Sequence, residues 1–120
     1  MLRTNVKYIC SLLIIAAVVG YSVYKFNTLD SFEKDLSMTL DRGEEILNLI
    51  ENFFNESHSY PDSLKDFLKQ NDLVSSDAWG YDFFYYVTDD KQAFSLKSLG
   101  KDGVKGTSDD IVFKDCGCSE

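Results

Sequence analysis

Residues 8–24 read YICSLLIIAAVVGYSVY, seventeen positions without a charge, and such a run constrains everything attached to it. In hydrocarbon a chain must satisfy its own backbone hydrogen bonds, so a stretch this apolar forms a helix that lies in a bilayer or a core. Seventeen residues lie at the short end of a membrane span, but Phe26 and the tyrosines at both ends suit the two interfaces. A removable signal peptide is the competing reading. Against it, no small-x-small cleavage site follows the run, and the helical pattern continues through Lys25 toward Glu56. The expectation is a retained single-pass anchor over residues 1–26 and one further domain over residues 27–120. Arg3, Lys7 and the amino terminus precede the run with no acidic residue among them, which leaves the amino end in the cytoplasm and the body outside it.

The body has a different chemistry. It carries all 20 acidic side chains against nine basic ones, so it lacks the clustered Lys and Arg that phosphate binding needs. Nucleic acid is excluded as a partner, membrane lipid is expected for the apolar run, and divalent cations suit the acidic body. With 44% hydrophobic and 14% aromatic residues, the chain has material for one modest core. Three cysteines are present. Cys10 falls inside the apolar run and reads as a membrane-buried thiol, while Cys116 and Cys118 leave three states open: a disulfide with each other, a pairing with another chain, or free thiols. No zinc framework is visible, since His58 is the sole histidine and no second pair of ligands completes a site.

After the apolar run, Phe32, Leu36, Leu40, Ile46, Leu47, Ile50, Phe53 and Phe54 recur at three- and four-residue intervals, the period of an amphipathic helix. One long helix through residue 57 is predicted, with a bend near residues 27–31, capped by Thr28 or Ser31, as the alternative. Gly43 is the weak point of that helix, at a cost of roughly 1 kcal/mol against Ala. Pro61 suits the first turn of a short second helix that ends near Gln70. From Trp79 onward the period changes to two, through Tyr81, Phe83, Tyr85 and Val87, then Ala93 or Phe94, Leu96 and Leu99. This predicts strands joined by a turn at Thr88-Asp89-Asp90-Lys91, with Ile111-Val112-Phe113 as a last strand. The fold class expected is α+β: a long amino-terminal helix, a short second helix and a small antiparallel sheet.

Between the last two strands lies Leu99-Gly100-Lys101-Asp102-Gly103-Val104-Lys105-Gly106-Thr107-Ser108-Asp109-Asp110. Three carboxylates and three glycines in one loop have the composition of a cation cage. Calcium takes six to eight oxygen ligands in flexible geometry, from carboxylates and backbone carbonyls alike, and Gly103 and Gly106 allow the positive φ that turns carbonyls inward. The spacing is not that of an EF-hand, and the same composition equally describes a hydrated, acidic hairpin loop.

Four segments in order, Tyr60-Pro61-Asp62-Ser63-Leu64, Asp77-Ala78-Trp79-Gly80-Tyr81, Ser98-Leu99-Gly100-Lys101-Asp102-Gly103 and Asp109-Asp110-Ile111, resemble the carboxy-terminal half of the major pseudopilin of type II secretion systems. The resemblance covers residues 45–113. It implies a type IV pilin-like fold and a calcium site in which Asp102 and Asp109 offer carboxylates and Leu99 and Val104 offer backbone oxygens, with Thr107 and Asp110 as weaker candidates. It also implies an inner-membrane protein with a periplasmic domain, working with other pseudopilin-like subunits or inner-membrane secretion components and able to self-assemble. Two departures stand out. Ala78 replaces the proline of the family's Asp-Pro-Trp-Gly step. The family's glycine before Phe or Met, followed by Thr-Leu-Ile-Glu, has no counterpart in residues 1–20, which hold no acidic side chain and a single glycine, Gly20. A non-polymerising calcium-binding interaction module is the alternative role.

Catalysis is not expected, because convergent acid, base or nucleophile groups are not indicated by the sequence. His58 is placed in the connection after the long helix, Asp89-Asp90 in a turn, and Trp79, Tyr81, Phe83, Phe84, Tyr85 and Tyr86 in the core and on the sheet faces.

Overall fold

The computed structural model describes residues 2–118, with side chains from Asn5 onward. The Arg3 side chain and the amino terminus, on which the orientation reading leans, lie outside the described residues. The elements in order are α1 (Leu2–Ser57), α2 (Leu64–Gln70), β1 (Phe84–Val87), β2 (Phe94–Ser98) and β3 (Ile111–Lys114). The chain divides into two compact units, Met1–Lys34 and Asp35–Glu120.

In the first unit the backbone is helical throughout its described residues, and every described side chain from residue 5 to 34 is exposed. Among the described residues this is the one helix long and apolar enough to cross a membrane, with a mean hydropathy of 2.0 over its best 18-residue window. The bend weighed for residues 27–31 does not form. Thr28 caps nothing; its Oγ1 donates to the Lys25 carbonyl one turn back, at 2.8 Å.

The second unit is built on the stripe Thr39, Gly43, Ile46 and Ile50, which are all buried and whose four-three-four spacing keeps them on one helix face. This corrects the predicted stripe at its start: Phe32 and Leu40 are exposed. A side chain one position along a helix turns away by about 100°, so once Thr39 and Gly43 face inward Leu40 cannot. Small residues win here because the sheet comes close. A side chain at Gly43 would strike the ring of Phe113 on β3.

Leu64, Phe67 and Leu68 of α2, Tyr60, Phe83 and the β2 residues Phe94 and Leu96 complete the buried core. Phe94 is fully buried, and its ring lies 4.5 Å from that of Tyr60, which stacks at 4.3 Å on Phe54. α2 begins later than predicted. Ser63 is its N-cap, accepting from the Asp66 N–H at 3.4 Å, so Pro61 precedes the helix and its carbonyl instead receives the Tyr85 hydroxyl at 2.6 Å.

The sheet order is β1-β2-β3, antiparallel throughout. Residues 79–83, read as the start of a strand, are not strand; β1 begins at Phe84. The alternation holds from Phe83, since Phe83, Tyr85 and Val87 pack on the core, but Tyr81, expected in the core or on a sheet face, is exposed and precedes β1. The β1–β2 hairpin closes where predicted, with the Lys91 N–H donating to the Thr88 carbonyl at 2.9 Å and Lys91 at a φ of 56°.

Candidate functional site

Residues 99–110 fold into a series of tight turns, with Gly100, Gly103 and Gly106 at φ of 71°, 65° and 85°. Gly100 permits the closest approach. A side chain there would run into the backbone of Asp109, so the two ends of the loop touch across a residue that must be glycine. A side chain at Gly103 would meet the Tyr81 ring, which seats the middle of the loop on the turn before β1.

The six residues singled out for a cation fall into two groups. Val104, Thr107 and Asp110 are brought together: Thr107 Oγ1 lies 3.2 Å from the Val104 carbonyl and 3.5 Å from Asp110 Oδ1, while Asp110 Oδ2 accepts the Gly106 N–H at 2.7 Å. Asp102 joins them through Val104, whose N–H donates to its Oδ1 at 3.0 Å. That hydrogen bond, then the Thr107 hydroxyl, holds the exposed Asp102 carboxyl below the usual carboxylate range. Leu99 and Asp109 flank Gly100 at the closed end of the loop. The donors are carboxylate, carbonyl and hydroxyl oxygens, the set a hard cation such as calcium takes. Among the described residues no three His, Cys, Asp or Glu side chains gather as a metal cluster, so backbone oxygens would complete the coordination. In chemical type the oxygens match what calcium takes, but the hydrogen bonds link only Asp102, Val104, Gly106, Thr107 and Asp110.

Asp77 is the residue that periodicity did not single out. It is 1% exposed, and its carboxylate is fully engaged. Oδ1 accepts the N–H groups of Trp79 and Tyr81 at 3.1 and 3.0 Å, and Oδ2 accepts the Ser98 hydroxyl at 2.8 Å. The Ser98 oxygen in turn accepts the Gly100 N–H at 3.2 Å. On the other side of the turn the Ala78 N–H donates to Thr39 Oγ1 at 3.1 Å, and Arg42 donates to the Ser76 carbonyl at 3.1 Å. The buried carboxylate therefore ties the first glycine of the loop, through Ser98, to the turn that Ser76 and Ala78 bond to helix α1. The Ala78 contact uses an N–H that proline lacks, so the departure from Asp-Pro-Trp-Gly gains a hydrogen bond to Thr39. Its place at the head of the Asp77-Ala78-Trp79-Gly80-Tyr81 segment was the available signal.

His58 is exposed, with a φ of 60°, just past the end of α1. The Thr88 hydroxyl and then the Gln92 N–H hold the Asp90 carboxyl below its ordinary range in the hairpin turn. Cys116 and Cys118 are joined to each other, which selects one of the three states left open, and Cys10 is an exposed free thiol.

The profile of the family described as Type II secretion system (T2SS), protein G matches residues 27–114, a longer stretch than residues 45–113. No curated protein and no solved structure matches the chain.

Proposed function

Because the chain belongs to the type II secretion system protein G family, we propose that it is a pseudopilin subunit held in the inner membrane by the apolar part of α1, with a calcium-stabilised domain in the periplasm. The observation that carries the reading is the family match over residues 27–114, on a fold whose first helix is apolar enough to span a membrane and is followed by a small antiparallel sheet. The charge pattern supports the orientation, with Lys7 before the apolar run and the acidic body after it. Asp102 and Asp109 would hold the ion with their carboxylates, and Leu99 and Val104 with their carbonyls. Thr107 and Asp110 supply further oxygens, although Asp110 already holds the Gly106 N–H. Bound calcium would neutralise a loop rich in carboxylate and add stability as its free concentration exceeds its dissociation constant.

Copies that assemble pack helix against helix in the membrane. Cys10 lies in the apolar run and is exposed, so mild oxidation of membranes should produce Cys10-linked dimers, absent in Cys10→Ser. Single cysteines moved along residues 8–24 should crosslink with helical periodicity. If no position crosslinks while the protein is membrane-bound, the non-polymerising module is the correct role.

A further inference from the structure

We propose that the Cys116–Cys118 disulfide is a thiol-exchange site, in which Cys118 is the sulfur attacked by an external thiolate and Cys116 is the leaving sulfur. The cysteines are two positions apart. Closing so small a ring removes little freedom from the unfolded chain, so the bond is a poor staple, and a disulfide that contributes little stability is open to another use. Among the described residues the hydrogen-bond donors fall on the Cys116 sulfur and none on that of Cys118. Cys116 Sγ is 3.3 Å from the Ser95 hydroxyl, which can donate to it, and it accepts the Cys118 N–H at 3.3 Å. The Cys116 N–H donates to the Ser95 oxygen at 3.2 Å, so residue and hydroxyl grip each other.

Ser95 is well placed for this. By strand alternation it lies on the face opposite Phe94 and Leu96, where it pairs with Tyr86 of β1, yet it is 0% exposed. Gly117, at a φ of 66°, and the Asp115 carboxylate, which accepts the Gly117 N–H at 3.0 Å, form the turn. The Asp115 charge opposes a nearby thiolate, which leaves the two hydrogen bonds to Cys116 as the feature that selects the leaving sulfur. A sulfur that departs as thiolate leaves faster when donors stabilise its charge.

The step balances. The external thiolate attacks Cys118 Sγ, a mixed disulfide forms there, the Cys116–Cys118 bond breaks, and its electron pair rests on Cys116 Sγ. One disulfide replaces another with no net oxidation, and attack by Cys116 reverses the step.

The test uses the full chain in detergent with Cys10→Ser, exposed to reduced glutathione, quenched in acid, alkylated and mapped by fragmentation mass spectrometry. Glutathione should lie on Cys118 and the alkyl group on Cys116. Ser95→Ala should slow exchange about tenfold and spread the adduct over both sulfurs, and Ser95→Thr, which keeps the hydroxyl, should restore both rate and preference. In urea the preference should vanish. Equal labelling of the two sulfurs in the folded chain, a preference for Cys116, or a native disulfide that stays closed while the urea-unfolded one exchanges would each overturn the proposal.

Discussion

A methyl group at position 43 would strike the Phe113 ring, and this sets two effects against each other. Ala gains roughly 1 kcal/mol over Gly in helix propensity, whereas overpacking a filled contact costs about 1–3 kcal/mol. Gly43→Ala should therefore lower the melting temperature of the wild-type chain and raise it once Phe113→Ala has removed the ring; thermal melts of the four proteins of that cycle check the reversal. Asp77 is the second residue on which the domain turns. Asp77→Ala strands two N–H groups and a hydroxyl, and should cost roughly 3 kcal/mol by chemical denaturation. Asp77→Asn keeps an oxygen for Trp79 and Tyr81 and should cost less. Equal losses for the two variants would mean that the carboxylate fills space without organising the turn.

At the scale of elements, β1 is tied to the turn before α2 by the Tyr85 hydroxyl on the Pro61 carbonyl. Burial, then the Asp62 carboxylate, then Tyr60, raise the Tyr85 pKa above its ordinary 10.0. Because the unfolded tyrosine ionises near pH 10 and the folded one higher, this contribution is complete below pH 10 and is lost as pH rises through the folded value. Melts between pH 9 and 12 should show falling stability, with a shallower slope in Tyr85→Phe, which should cost about 1 kcal/mol at pH 7. The elements themselves were largely legible. The uncharged run located the first half of α1, period 3.6 its second half and α2, and period 2 β1 and β2, even though β2 is buried on both faces, at Phe94 and Leu96 and at Ser95. What periodicity missed is contact-specific. Thr39 and Gly43 look like interruptions in an apolar stripe, and become its centre only when Ala78 and Phe113 arrive from distant segments. The strand start slipped from Trp79 to Phe84 because a buried Asp77 imposes a turn on residues whose alternation reads as strand. In the loop, Gly103 and Gly106 were legible from conformational freedom. Gly100 was not singled out, since its need for glycine comes from Asp109, nine positions on.

At the scale of the whole molecule, the family match over residues 27–114 sets the pseudopilin reading, and the proposed ion acts at one loop of it. An apolar segment leads into an acidic domain whose last loop lies between β2 and β3, and the Asp77–Ser98–Gly100 hydrogen bonds join that loop to the turn that Ser76 and Ala78 bond to α1. Ion binding should therefore be felt by the domain as a whole. The most direct test is the thermal melt of the full chain in detergent, recorded with calcium and with a chelator. The account predicts a melting temperature several degrees higher in calcium, with the difference abolished in Asp102→Ala and in Asp109→Ala. Identical melts in calcium and chelator, from a chain that unfolds cooperatively in both, would contradict a calcium-stabilised domain.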